Sequence, residues 1–182
     1  MKITVSHIPP EGYSFKFTKN AEFFHILADM IRHQEVVFSS PVSGEITAMV
    51  LSEEIVEVKG RVAVTLRLEC GRCLEAFEQD FERTFILNFI SKSARTDLAT
   101  PDGEEFEISD QDISSEFYSG DVIELQDTIQ EQVILALPQK PLCSESCKGL
   151  CVSCGANLNN EPCACPPSQG HPAFAALKGL KP

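Results

Sequence analysis

The sequence predicts an α+β protein: an antiparallel β-sheet or partial barrel, one or two packed helices, and a cysteine-rich lobe at the C-terminal end. Three observations carry that expectation. Residues 56 to 70 alternate apolar and polar side chains with a period of two, the signature of a half-buried strand. Residues 20 to 31 and 121 to 136 change to the period of ~3.6 of an amphipathic helix. Six of the eight cysteines fall between Cys143 and Cys165, and the other two stand far upstream in Cys70-Gly71-Arg72-Cys73.

In chain order, Ile3 and Val5 alternate within residues 2 to 8, and Tyr13, Phe15 and Phe17 alternate again after Pro9, Pro10 and Gly12. Two short strands are expected there. From Asn20, a helix N-cap residue type, Ala21, Phe24, Leu27, Ala28 and Ile31 share one face, which predicts a helix covering a sheet. His25 and Asp29 are spaced to meet on that helix and His33 complements its dipole at the end; a polar helix edge accounts for all three without catalysis. Pro41 and Gly44 predict a turn before a strand through Ile46, Ala48 and Val50.

The clearest pattern follows. Val56, Val58, Val62, Val64, Leu66, Leu68 and Cys70 are even-numbered, while Glu57, Lys59, Arg61, Thr65, Arg67 and Glu69 lie between them, with a break or bulge expected at Gly60. Phe77, Phe81, Phe85, Leu87 and Phe89 continue the alternation, so residues 55 to 90 read as a long antiparallel hairpin with Cys70 and Cys73 at its tip. Residues 91 to 120 read as a long connection with turns at Pro101-Asp102-Gly103 and Ser119-Gly120 and a short alternating piece at Phe106 and Ile108. Its Asp110 and Asp112 form a carboxylate pair of little specificity. Asp121, with Glu124 three residues on, has the pattern of a capping box opening a helix whose buried stripe is Val122, Leu125, Ile129, Val133 and Ala136, ended by Pro138. In the tail, Phe174, Leu177 and Lys178 make one amphipathic turn.

The cysteine spacing points to metal. A soft divalent ion held by four thiolates needs short chelating pairs, and Cys70/Cys73 and Cys151/Cys154 both have the two-residue gap that wraps one ion. Gly71 and Gly155 suit knuckles that need positive φ or a backbone without Cβ. Eight cysteines supply two closed tetrahedral zinc sites, hence two zinc ions as cofactors. The preferred partition joins Cys151 and Cys154 to Cys163 and Cys165, with Asn157, Leu158 and Asn159 turning the chain back between the pairs, and gives Cys143 and Cys147 to Cys70 and Cys73. A rival gives Cys143, Cys147, Cys151 and Cys154 one ion and Cys70, Cys73, Cys163 and Cys165 the other; spacing leaves both open. The domain reading is a β-rich α+β body over residues 1–140, carrying the Cys70/Cys73 knuckle on its hairpin tip, and a cysteine-rich zinc lobe with tail over 141–182, packed on the body.

Composition narrows the function classes. No run approaches the ~18 apolar residues of a membrane span. The N-terminus lacks the plan of an export signal, so a reducing cytoplasm is the expected compartment, where an even cysteine count favours metal over disulfides. The formal net charge is -12, and between Arg95 and Lys140 there are twelve acids and no Lys or Arg. That balance disfavours non-specific adhesion to a phosphate backbone, leaving local contacts for nucleic acid, while the acidic stretch suits either a solvated connector or a basic partner protein. The best basic cluster is Arg61, Arg67, Arg72 and Arg83, although a solvated sheet face laced with Glu57, Glu69, Glu78 and Glu82 is the favoured account of it.

Three patches occur together in order: Leu68-Glu69-Cys70-Gly71-Arg72-Cys73-Leu74, the helix end Ile134-Leu135-Ala136-Leu137-Pro138, and Cys147-Lys148-Gly149-Leu150-Cys151-Val152-Ser153-Cys154-Gly155-Ala156-Asn157-Leu158-Asn159. The combination resembles the bacterial and plastid YceD family, whose members are described as large ribosomal RNA subunit accumulation proteins. The likeness runs from about Gly44 to the C-terminus. It implies a role in accumulation of large-subunit ribosomal RNA, hence in ribosome assembly, without an established enzymatic activity. Family tails often carry Asp-Pro-Arg where this chain has His171-Pro172-Ala173.

The leading expectation is therefore a non-catalytic, cytoplasmic assembly factor with structural zinc. Its partners would be large-subunit ribosomal RNA or its precursor, touched by Arg67, Arg72 and Lys148, and a basic ribosomal protein, touched by the acidic stretch. Neither a membrane nor a small-molecule substrate is expected. A zinc-ribbon regulator of nucleic acid would need a basic finger, yet Cys143 to Cys165 holds only Lys148 against Glu145 and Glu161. A cysteine redox switch would need a thiol at a helix N-terminus, and Cys70 ends a strand instead. No Ser-His-Asp, phosphate-loop or dinucleotide fingerprint is present.

Overall fold

The computed structural model describes residues 1–95 and 115–166. The piece at Phe106 and Ile108, the Asp110/Asp112 pair, the acids from Asp97 to Asp112 and the apolar turn at Phe174, Leu177 and Lys178 lie outside the described residues. The chain is α+β. Its strands are β1 (Lys2–Thr4), β2 (Tyr13–Lys19), β3 (Val37–Phe38), β4 (Val42–Val50), β5 (Ile55–Glu69), β6 (Ala76–Ser91), β7 (Ser115–Tyr118) and β8 (Val122–Glu124). Its helices are α1 (His25–Arg32), the single turn α2 (Lys92–Arg95) and α3 (Leu125–Ala136). No helix among the described residues is long and apolar enough to cross a membrane.

The main sheet has the order β2-β4-β5-β6-β7, with β3 also on β5, while β1 and β8 form a separate antiparallel pair. β2, β4 and β5 pair antiparallel, and β7 runs parallel to the end of β6. β2 and β7 stand at opposite ends of the order, so among the described residues the mostly antiparallel sheet does not close on itself. Thr65 bonds Asp80 and Arg61 pairs with Glu82, so positions descend β6 as they rise along β5 and the two strands form the expected antiparallel hairpin.

The period of two in β5 describes its environment residue by residue: Val56, Val58, Val62, Val64, Leu66 and Cys70 are buried, and Lys59, Arg61, Arg67 and Glu69 are exposed. The break expected at Gly60 is absent. Ile46 pairs with Gly60 in unbroken register, because a Cβ on Gly60 would lie 2.1 Å from the Phe85 ring, and the missing side chain is the space that ring fills. Gly44, expected in a turn, lies inside β4 opposite Phe17.

Both helix starts differ from expectation. Residues Ala21–Phe23 form a 3₁₀ turn, and α1 begins only at His25, so Asn20 does not cap it and its side chain makes no cap bond. The cap comes from elsewhere in the chain: the Ile26 N–H donates to Oε1 of Gln130, a fully buried residue of α3, at 3.1 Å. Gln130 Nε2 in turn donates to Asp127 Oδ1 at 2.8 Å, so the buried amide is satisfied at both ends. Asp29 pairs with Arg32 at 2.8 Å, and His25 faces Asp127 at 3.7 Å instead of Asp29. Asp121 does not open α3. Val122–Glu124 are β-branched or extended and pair as β8 with Lys2–Thr4, so the helix starts three residues later, and Asp121 accepts bonds from the Ser6 N–H and hydroxyl. These bonds, hydroxyl first, hold its carboxyl below the usual carboxylate range. α3 meets the sheet through Arg83 Nε to Gln132 Oε1 at 2.9 Å and Thr128 Oγ1 to Glu116 Oε2 at 3.0 Å.

The chain divides into two compact units. One comprises Met1–Arg67 and Glu78–Pro138; the other joins Leu68–Phe77 to the described residues from Gln139 onward. The sequence division gave the hairpin tip to the body, whereas by compactness the tip groups with the cysteine-rich segment.

Candidate metal centres

All eight thiols lie in the second unit, four of them on two knuckles of the same backbone design. In the first, the Cys70 N–H donates to Glu75 O and the Leu74 N–H to Cys70 O, both at 2.9 Å. In the second, the Cys151 N–H donates to Ala156 O at 2.8 Å and the Gly155 N–H to Cys151 O at 2.9 Å. Each knuckle needs a left-handed residue directly after its second cysteine. Gly155 fills that place at φ 73°, and Leu74 fills it at φ 61°, against the preference of an L side chain. Gly71, expected in that role, has no positive φ; its N–H donates to Pro141 O at 2.9 Å.

The sulfurs of Cys70, Cys73, Cys143 and Cys147 all lie within 4.8 Å of one another, and so do those of Cys151, Cys154, Cys163 and Cys165. This grouping is the preferred one of the two sequence partitions. The distances test the fit to a metal. Cys70 and Cys147 are 3.8 Å apart at sulfur, and Cys73 and Cys143 3.7 Å. Four thiolates at ~2.3 Å from a tetrahedral ion sit ~3.8 Å from each other, whereas a disulfide requires ~2.05 Å. The donor set is soft, complete and closed, so it fits one tetrahedral ion per set with no position left for a reactive water.

The first set is the inner centre. Cys70, Cys73 and Cys147 are 0, 4 and 6 % exposed and pack with Phe77, Leu142 and Leu150. Arg72 braces it: one guanidinium nitrogen donates to Glu145 O at 3.1 Å and Cys147 O at 2.9 Å, while the Arg72 carbonyl accepts the Leu150 N–H at 3.1 Å. Asn159 reaches Cys147 Sγ through Nδ2 at 3.3 Å, and its Oδ1 accepts the Lys148 N–H at 2.8 Å. Asn157 and Asn160 both donate to Glu75, at 3.0 and 3.3 Å. The outer centre is local in sequence, and its Cys154 is exposed.

Electrostatics within each set follow from the same contacts. The N–H of Cys143, then those of Cys73 and Arg72, bring the Cys70 thiol down to about 6, and the N–H groups of Cys154 and Ser153 bring Cys151 down to about 6. The Asn159 amide is the main cause holding Cys147 below the ordinary thiol value. Burial followed by the neighbouring thiols pushes Cys143 up to about 12, and the neighbours Cys154 and Cys151 push Cys165 up to about 12. Each set thus contains at least one thiol eased toward the thiolate and one held protonated, Cys143 chiefly by burial and Cys165 chiefly by its neighbours.

The residues expected to touch RNA are placed as follows. Arg67 is exposed at the end of β5 in the first unit, opposite Val37 of β3. Lys148 is exposed in the second unit. Arg72 is also exposed, but its guanidinium is engaged on two carbonyls. Arg61 is paired with Glu82, and Arg83 is turned to Gln132, so neither joins a free basic cluster. Sequence reasoning missed Asn159 and Asn160 as supports; the only signal was Asn157-Leu158-Asn159-Asn160 between two chelating pairs.

Comparison with known proteins gives a family model, "Large ribosomal RNA subunit accumulation protein YceD", matching residues 58–181, a span that holds all eight cysteines. The chain is 28% identical over 137 residues to an uncharacterized protein of Mycobacterium leprae (strain TN), covering 75% of this chain and 55% of that one. It is 28% identical over 158 residues to "Large ribosomal RNA subunit accumulation protein YCED homolog 1, chloroplastic" of Zea mays, covering 74% and 54%. It is 34% identical over 97 residues to "Large ribosomal RNA subunit accumulation protein YceD" of Haemophilus influenzae (strain ATCC 51907 / DSM 11121 / KW20 / Rd), covering 53% and 51%. The chain spans about half the length of these curated relatives. No solved structure matches it.

Proposed function

The chain belongs to the YceD family, and from that premise we propose that it is a non-catalytic ribosome-assembly factor, required for accumulation of large-subunit ribosomal RNA and shaped by two zinc ions. The observation that carries the reading is the pair of closed four-thiol sets inside the family-matched span. Cys70, Cys73, Cys143 and Cys147 would hold one ion, and Cys151, Cys154, Cys163 and Cys165 the other. A zinc ion there supplies cross-linking, of ~10–16 kcal/mol apparent in finger peptides at neutral pH, and no activated water. The names of the maize and Haemophilus relatives support the ribosomal assignment.

The partner is large-subunit ribosomal RNA or its precursor, with a basic ribosomal protein as a second contact through the acidic stretch. Arg67 and Lys148 are the exposed cations offered to phosphate, and Arg72 serves chiefly to position the inner knuckle. The test is depletion of the chain in the organism that encodes it, with both ribosomal RNAs quantified. Large-subunit RNA is expected to fall relative to small-subunit RNA, with rescue by the wild-type chain and not by Cys70→Ser/Cys73→Ser. An unchanged ratio overturns the proposal.

A further inference from the structure

The two thiol sets are separate as coordination spheres but not as structures. The loop of residues 155 to 162 joins Cys154 to Cys163, so an ion in the outer centre would fix both of its ends. That loop folds back along residues 147 to 151: the Leu158 N–H donates to Gly149 O at 2.9 Å, and Leu150 and Asn157 form a β-bridge. At its turn, Asn159 touches the inner centre. Its Oδ1 must face the Lys148 N–H, an obligate donor, which fixes the amide orientation and aims Nδ2 at Cys147 Sγ, 3.3 Å away. Two residues of the same loop, Asn157 and Asn160, hold Glu75, which lies two positions beyond inner ligand Cys73.

We propose that the outer ion controls the affinity of the inner centre through Asn159: closing the 155–162 loop delivers the amide N–H that stabilises the Cys147 thiolate. The inference rests on both thiol sets holding metal. Hydrogen bonds to ligand atoms are worth ~10–100-fold in metal affinity, so the coupling is of that size. By linkage the effect is reciprocal, and filling the inner centre tightens the outer by the same factor. Asn159 is a positioning residue in this scheme, since it touches a ligand sulfur and never the ion.

The experiment is cadmium titration of the full chain against a competing chelator, read by cadmium-113 NMR, which gives each centre its own line. Inner-centre affinity is measured with the outer centre intact and in Cys163→Ser/Cys165→Ser, each with and without Asn159→Asp. That replacement keeps the oxygen facing Lys148 and removes the donor. Loss of the outer centre is expected to weaken the inner by about 10–100-fold when Asn159 is present, and by no more than a few-fold with Asn159→Asp. Asn159→Ala repeats the comparison without the added charge. An inner affinity indifferent to the outer centre, or an equal loss in all backgrounds, overturns the coupling while leaving the centres standing. Absence of any thiolate-bound cadmium overturns the metal centres themselves, and the coupling with them.

Discussion

Gln130 shows how one buried side chain can hold two helices in place. It is fully buried on α3 and supplies the cap that α1 lacks in its own sequence. Gln130→Leu leaves the Ile26 N–H without its acceptor, and urea unfolding is expected to show a loss of about 1–3 kcal/mol. Glu116 makes the opposite contribution. Burial, opposed by the Thr128 hydroxyl and reinforced by Glu131 and Asp127, raises its carboxyl above the ordinary value. The folded state therefore binds the proton more tightly than the unfolded chain, so this residue costs nothing below the unfolded value. The cost grows as pH rises toward the raised folded value and persists above it. Glu116→Gln should stabilise the protein at neutral pH, with the gain vanishing in acid; a pH-independent effect contradicts this origin. Leu74, at φ 61° and 58 % exposed, gives a third test. Leu74→Gly relieves the left-handed strain at the cost of backbone freedom in the unfolded chain, so stability should be retained or rise, whereas Gly155→Leu should lower it.

At the scale of elements, what could be read in advance depended on whether a residue's role is set by its neighbours in sequence or in space. β5 was legible because each even-numbered residue from Val56 to Cys70 serves one face, and the Gly60 that suggested a bulge kept the register only because Phe85, far along the chain, fills its place. Gly60→Ala is accordingly expected to cost about 1–3 kcal/mol by overpacking, and much less in a Phe85→Ala background. The capping-box pattern at Asp121 misled because Val122 to Glu124 find partners in Lys2 to Thr4, more than a hundred residues away, and tertiary pairing outweighs a local cap. β7 was missed for the same reason, since Ser115–Tyr118 has a partner only once β6 is in place. Ile3, 3 % exposed, is buried on that first short strand, so Ile3→Ala should lower stability by about 2–5 kcal/mol in the same unfolding assay.

On the scale of the whole molecule, the cysteine count and the two-residue gaps were legible but the partition was not: spacing left two groupings open, and only the folded chain, which brings Cys143 and Cys147 to the distant Cys70 and Cys73, separates them. What sequence could not give was the bracing by Arg72 and Asn159, which exists only when the hairpin tip and the 147–159 segment are brought into one unit. The other unit is built on an apolar core. The central claim is that the eight thiols, six of them clustered and two far upstream, hold two ions. The most direct measurement is native mass spectrometry of metal-replete chain, combined with alkylation of its thiols. The account predicts two zinc ions per chain, with all eight thiols protected until a chelator is added. A metal-replete chain that carries no zinc, or whose Cys70 and Cys73 alkylate as fast as those of the unfolded protein, would contradict it.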